Sequence, residues 1–215
     1  MMARLQTRHT VLLSPACERN KEPILEVLQA WLPERARVLE IGSGSGQHAA
    51  FFCGQIQGLA WQASEREQAL KTLQSQLGVL PPDSLAPGAQ LHQPIRLDVT
   101  AAEQWPRQLF DAVFTANTCH IMPAKALGQL LAGSFQLLQP GGLLLLYGPF
   151  HDGGVHTSAS NHAFDAHLRS LDPAMGVRDA LEIKEQATAL GLQPLADLAM
   201  PANNRTLIFK HGAPF

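Results

Sequence analysis

The ten residues Arg37 to Gly46 constrain this chain more than any other stretch. An apolar run, Val38-Leu39-Glu40-Ile41, carries an acid near its end and leads into three glycines separated by serines, Gly42-Ser43-Gly44-Ser45-Gly46. Gln47-His48-Ala49-Ala50-Phe51-Phe52 then continues as a helix. Strand, glycine loop and helix together make a nucleotide-cradling unit. Residues without a Cβ let backbone N–H groups approach a ligand closely, at the positive end of the helix. Such a unit belongs to a parallel sheet covered by helices.

The rest of the chain has the matching alternation. A leading amphipathic helix is expected over Glu22 to Trp31, with Asn20 as its cap and Pro23 in its first turn. Strands are expected at 38–41, 59–63, 94–97, 110–115 and 143–147, with helices at 46–56, 67–76 and 123–138 between them. Leu143 to Leu146 is so apolar that both faces of that strand must be covered. A helix over Ala180 to Leu190 is followed by 194–200 and 205–210, which pair around Pro201-Ala202-Asn203-Asn204. The expected fold is α/β: a Rossmann-like, mostly parallel sheet with a C-terminal antiparallel hairpin and helices on both faces. The 215 residues suit one domain, 1–215, whose N-terminal helix, about 14–32, covers the cofactor site.

The loop separates two ligand classes. A dinucleotide loop wants Gly-x-Gly-x-x-Gly, so that pyrophosphate rests on the helix N-terminus. Here Gln47 occupies the third position. Glu-x-Gly-x-Gly-x-Gly is instead the form used for S-adenosylmethionine (SAM), which has no phosphate and carries an ammonium that an acid such as Glu40 can meet. Gly42, Ser43, Gly44 and Gly46 supply the backbone cradle. Glu65, past the second strand, stands where a ribose-binding acid belongs. Asp98 and the Val99 backbone address adenine, and Asn117 follows the fourth strand to face the methionine part. Taken singly, each acid also reads as a turn or helix cap. Arg19 and Asn20 lie ahead of the first helix, in reach of the methionine carboxylate.

Together these residues resemble a small family of class I SAM-dependent methyltransferase-like proteins, whose human member is called methyltransferase-like protein 26. The matching pieces include Ser14-Pro15-Ala16-Cys17-Glu18-Arg19-Asn20-Lys21, Leu39 to Ala49, Trp61 to Glu65 and Asn117-Thr118-Cys119-His120-Ile121. Tyr147-Gly148-Pro149-Phe150, Thr157 to Asn161, Phe164-Asp165, Leu168-Arg169, Arg178-Asp179 and Met200 to Asn204 complete them. Two departures are mild: Gly42 where Ala is common, and Glu65 where Asp is common. The resemblance implies the fold and SAM as cofactor, and leaves the acceptor open.

Methyl transfer from a sulfonium is an in-line displacement, so alignment dominates and a base helps when the nucleophile carries a proton. His120, in the loop after the fourth strand, is the first catalytic candidate, with a loop-shaping hydrogen-bonder as its plain alternative. Tyr147 and Asp165 are the other catalytic candidates; Ser158, Asn161, Arg169 and Asn203 are candidates for an acceptor pocket. The alternative is that caps and salt links brace the long stretch 147–169, with Ser160 or Asn161 capping a helix over 164–170.

The net charge is −2, and no run of more than two Lys or Arg occurs, which argues against nucleic acid. Neither a membrane span nor a signal peptide is read, Met1 to Ser14 having only the short apolar core Val11-Leu12-Leu13. Cys17, Cys53 and Cys119 read as reduced thiols of a cytoplasmic protein, and no Cys or His spacing suggests a metal. The expected partner is a small-molecule substrate; nothing in the sequence sets an oligomeric state. Two rivals remain. A Rossmann-type NAD(P)-dependent oxidoreductase is disfavoured by Gln47 and by the lack of a Tyr-x-x-x-Lys pair, Tyr147 being the single tyrosine. A non-catalytic SAM-binding or protein-interaction module is the other.

Overall fold

The computed structural model describes residues 14–212, so the reading of Met1 to Leu13 lies outside it. In chain order the elements are α1 (Pro15–Trp31), β1 (Arg37–Ile41), α2 (Gln47–Gln55), β2 (Ala60–Glu65), α3 (Glu67–Leu77), β3 (Gln90–Arg96), β4 (Phe110–Ala116), α4 (Ala124–Leu137) and β5 (Leu138–Gly148). They continue as β6 (Phe150–Asp152), β7 (Val155–His156), α5 (Ala159–Leu171), β8 (Arg178–Asp179), α6 (Ala180–Ala189), β9 (Leu192–Met200) and β10 (Asn204–His211). The main sheet has seven strands in the order β3-β2-β1-β4-β5-β10-β9. Strands β1 to β5 pair in parallel. Strand β10 is antiparallel to both β5 and β9, as the hairpin reading expects.

Strand alternation divides the core into two layers. Leu39, Ile41, Leu144 and Leu146 pack on one face with α4 and α6 residues. Val38, Leu143, Leu145 and Tyr147 pack on the other, with Ile24 and Leu28 of α1 and Phe52 of α2. The two outer strands, β3 and β9, each carry a proline, Pro94 and Pro194, beside a shift in pairing register. No helix among the described residues is long and apolar enough to cross a membrane.

Three local expectations are corrected. Helix α1 starts at Pro15 because Ser14, not Asn20, is its cap: Cys17 N–H donates to Ser14 Oγ at 3.4 Å. Pro23 therefore lies inside the helix. The stretch after β5 is not an irregular loop. It forms a second sheet in the order β7-β6-β8 and a helix, α5, capped by Ser158 rather than by Ser160 or Asn161. Strand β5 begins at Leu138, so Pro140-Gly141-Gly142 lies within its span instead of after a helix.

Helix α4 is seated against the Trp105 ring through Gly133. A Cβ on Gly133 would lie 2.2 to 2.5 Å from three Trp105 ring atoms. Gly133→Ala is expected to destabilise the fold by about 1–3 kcal/mol, the usual cost of overpacking, read as a lowered urea midpoint with unchanged m-value.

Candidate functional site

The strand order reverses between β1 and β4, where loops leave their carboxyl ends in opposite directions and open a crevice. A cavity of about 820 Å³ fills it. The glycine loop forms its floor. Ser43 is buried, donates its N–H to Ser64 O at 2.9 Å and accepts Ser64 N–H on Oγ at 3.1 Å, which ties the loop to the end of β2. Gly44 faces the cavity, and a Cβ built there meets nothing within 4 Å. Gly46 has a different reason to be glycine. Its φ is 78°, and a Cβ would lie 2.6 Å from Leu77 Cδ2, so it permits α2 to pack on α3 and does not line the cavity.

Gly42, Ser43, Gly44, Glu65, Asp98, Val99 and Asn117 all border this cavity, as the sequence expects. Glu65 accepts Gly44 N–H at 2.9 Å on one oxygen and Arg66 N–H at 2.8 Å on the other. Asp98 Oδ1 accepts the Thr100 hydroxyl at 2.7 Å and N–H at 2.9 Å, and Arg66 Nε lies 3.7 Å from Oδ2. The Thr100 bonds, with the Arg66 charge behind them, hold this carboxyl below its ordinary range. Asn117 sits at φ 57°, donates its N–H to Tyr147 O at 2.9 Å and borders the cavity.

Glu40 is placed differently from the expectation. It lies beneath the loop, off the cavity wall, and accepts Trp61 Nε1–H at 3.0 Å. Burial pushes its carboxyl up to about 7, opposed by hydrogen bonds from Ser43 and Trp61 and helped by the Glu65 charge. Its neighbour His48, with Nδ1 at 4.0 Å, does reach the cavity. Sequence reasoning passed over His48, although it lies two residues after the last loop glycine. Its ring stacks on Phe52 at 5.3 Å, and Nε2 pairs with Asn20 Oδ1 at 2.8 Å. Burial pushes its pKa down to about 4, so it is neutral at physiological pH.

The first turn of α1 overhangs the cavity, with Ser14, Ala16 and Cys17 on its wall. Arg19 and Asn20 do not reach it. Helical periodicity turns Asn20 inward with Ile24, Val27 and Leu28, toward α2, while Arg19 is exposed. Gln47 fastens this covering turn. Its carboxamide oxygen accepts Ser14 N–H and the Ser45 hydroxyl, and its nitrogen donates to Glu18 at 3.0 Å.

The residues proposed for chemistry fall outside the cavity wall. His120 is buried one loop away, edge-on to Phe164 with ring centroids 5.2 Å apart. Burial first, and the Arg178 charge second, push it down to about 4. Its Nδ1 and Asn117 Oδ1 lie 3.7 and 3.9 Å from where a Gly148 Cβ would stand, so both flank the end of β5. Tyr147 is buried against α1. Burial raises its pKa, against hydrogen bonds from Asn20 and Asn204. Asp165 accepts Arg169 Nε–H at 2.9 Å and Val177 N–H at 2.7 Å, a brace for α5 rather than a group aimed at the cavity. Ser158 caps α5, and Asn161 Nδ2 donates to Thr157 Oγ1 at 3.1 Å and Asn203 O at 2.9 Å. Asn203 in turn donates to Ser160 Oγ at 3.1 Å. Asp165, Arg169, Ser158, Asn161 and Asn203 thus bond to one another or to neighbours around α5.

The family described as "Protein of unknown function (DUF938)" matches residues 12–211. The chain belongs to this family. Among solved structures, the DUF938 chain is similar to an O-methyltransferase family protein from Burkholderia thailandensis, with a TM-score of 0.76 and 17% identity over 93% of this chain and 58% of that one. It is similar to human N-acetylserotonin methyltransferase in complex with SAM, with a TM-score of 0.73 and 14% identity over 92% and 53% of the two chains. A third likeness is to an O-methyltransferase family 2 protein from Planctomyces limnophilus in complex with apigenin, with a TM-score of 0.65 and 15% identity over 88% and 61%. At these identities the DUF938 chain shares their fold, and it spans somewhat more than half of their length.

Glu40 and His48 give stability opposite dependences on pH. With its pKa raised from 4.5 to about 7, folded Glu40 keeps a proton that the unfolded chain releases, so its contribution is full below 4.5 and is lost as pH rises through 7. His48, lowered from 6.5 to about 4, contributes fully above 6.5 and loses its share as pH falls through 4. Glu40→Gln removes only the first. Relative to the parent, it is expected to gain stability between pH 4.5 and 7 in urea titrations; a pH-independent difference would contradict the assignment.

Proposed function

We propose that this protein transfers a methyl group from SAM to a small-molecule acceptor, and that its family is the one whose human member is methyltransferase-like protein 26. The observation that carries the reading is the cavity at the switch point. The glycine loop, Glu65, Asp98 with Val99, and Asn117 border it in the order the strands present them. The residues fit the cofactor. Gly44 leaves its side of the cradle open, and Gln47 fills the place a pyrophosphate-binding loop keeps for glycine.

Glu65 would accept from the ribose hydroxyls, for a carboxylate that takes two backbone N–H groups has lone-pair sites to spare. Asp98 and the Val99 backbone would hold adenine, and Asn117, beside Thr118, the methionine part. When bound, SAM supplies an electrophilic methyl group on a sulfonium. The chain's own residues align and desolvate the acceptor. The α1 turn excludes water from one side, and the Thr118–Pro123 wall closes the other. His120, kept neutral by burial, can accept the acceptor's proton at Nδ1 beside Gly148. Ser158 with Asn161, Asn161 with Asn203, and Asp165 with Arg169 would shape the acceptor side through their mutual bonds, and Tyr147 through its bonds with Asn20 and Asn204. Asn20 secures the covering helix through His48. The matched structures support the reading by fold, and by their own descriptions one holds SAM and another apigenin.

Thermal shift with SAM, S-adenosylhomocysteine and NAD(P) tests the cofactor, and stabilisation by NAD(P) alone would reject it. Glu65→Ala is expected to weaken S-adenosylhomocysteine binding at least tenfold by calorimetry, the scale of a lost charged hydrogen bond. With an acceptor found by screening metabolites for radiolabelled methyl uptake, His120→Ala should retain cofactor affinity and lose about 10²–10⁴-fold in turnover, the range of a general base. An unchanged rate would assign His120 to loop shape alone.

A further inference from the structure

Residues 174–178 hold one wall of the cavity from behind. The turn after β4 shows Asn117, Thr118, Ile121, Met122 and Pro123 to the cavity. Its own hydrogen bonds are few: Ile121 N–H and Met122 N–H donate to Thr118 O at 3.1 and 3.3 Å, and the Thr118 hydroxyl donates to Ala116 O. Three of its carbonyls are taken by one short segment of the second sheet. Arg178 donates through Nε to Cys119 O at 3.1 Å and through Nη2 to Met122 O, while Gly176 N–H donates to His120 O at 2.9 Å. The same Nη2 also donates to Ala174 O at 2.7 Å, closing the segment on itself.

Among the described residues no carboxylate lies within 4 Å of this half-buried guanidinium. A planar fork of donors spent on main-chain carbonyls, rather than on an ion pair, serves to fix backbone geometry. The wall also touches the opposite loop, because Thr118 Oγ1 would lie 3.0 Å from a Cβ on Gly42. On its far side the segment is anchored to α5 through Val177 N–H and Asp165.

We propose that Arg178 is a positioning residue for the cofactor, setting the Asn117–Pro123 wall and coupling the β6–β8 segment to cofactor occupancy. The affinity and ligand-protection arms of the test rest on the SAM reading; exchange measured without ligand does not. Coupling is reciprocal, so bound cofactor should protect the amides that hold the wall. Calorimetry with S-adenosylhomocysteine is run on the full chain and on Arg178→Lys, Arg178→Ala and the remote surface control Lys184→Gln. Arg178→Lys keeps the charge and is the variant read if Arg178→Ala does not fold.

The expected result is about a tenfold or greater loss of affinity in the folded Arg178 variants and none in the control. In parallel, S-adenosylhomocysteine should slow amide exchange at residues 174–178 in the parent and not in Arg178→Lys. Folded Arg178 variants that bind as tightly as the parent would overturn the proposal. Should the parent itself bind no S-adenosylhomocysteine, the SAM reading fails, and exchange without ligand decides the Arg178 question. Faster exchange at Ile121, Met122 and Gly176 in Arg178→Lys upholds the wall-setting role, and unchanged exchange rejects it.

Discussion

Parallel strands cannot be joined by tight turns, and this constraint governs the molecule. Each connection must cross a face of the sheet, so both faces are buried and the strands become apolar throughout, as Leu143–Leu146 shows. Polar residues are then forced to strand ends. Where β1 and β4 lie side by side, their connections part to opposite faces and leave a crevice that no turn can fill. The glycine loop, the two cavity-facing acids and Asn117 are all consequences of where those strands stop.

The burial of Glu40 belongs to the same logic. Glu40, between Leu39 and Ile41 of β1, is an acid carried into the core by its own strand, and the Trp61 indole of the neighbouring strand answers it. A hydrogen bond to a carboxyl in so dry a place is worth more than at the surface, and leaving it unmade costs more still. Ser64, which donates its hydroxyl to Glu40 O at 2.6 Å, ties the same point to the loop above. The floor of the cradle is thus rigid, whereas its roof, the first turn of α1, rests on the Gln47 carboxamide.

Much of this was legible because period and punctuation agree. Five apolar runs separated by helical patterns give the sheet, and acids just beyond the runs fall on the cavity because the pleat has no other place for them. What was not legible depended on tertiary contact. Asn20 reads equally well as a cap or a ligand, and only its pairing with His48 shows that it faces inward. The stretch after β5 is rich in glycine, serine and histidine and looks irregular. Its order comes from Asp165, Arg169 and Asp179, whose partners lie up to 25 residues away. Arg178 stands in the sequence only as part of a matching piece, and its role is not legible there because two of its acceptors are main-chain carbonyls 56 and 59 residues earlier.

The prolines on the two outer strands have a further effect. A sheet closed on neither side presents a row of spare main-chain donors and acceptors to any passing extended chain. Pro94 lacks a donor in one row and Pro194 in the other, and the adjoining irregularity in each strand breaks the spacing a newcomer would have to match. Fibrous growth by lateral addition is therefore discouraged at both margins of the seven-stranded sheet.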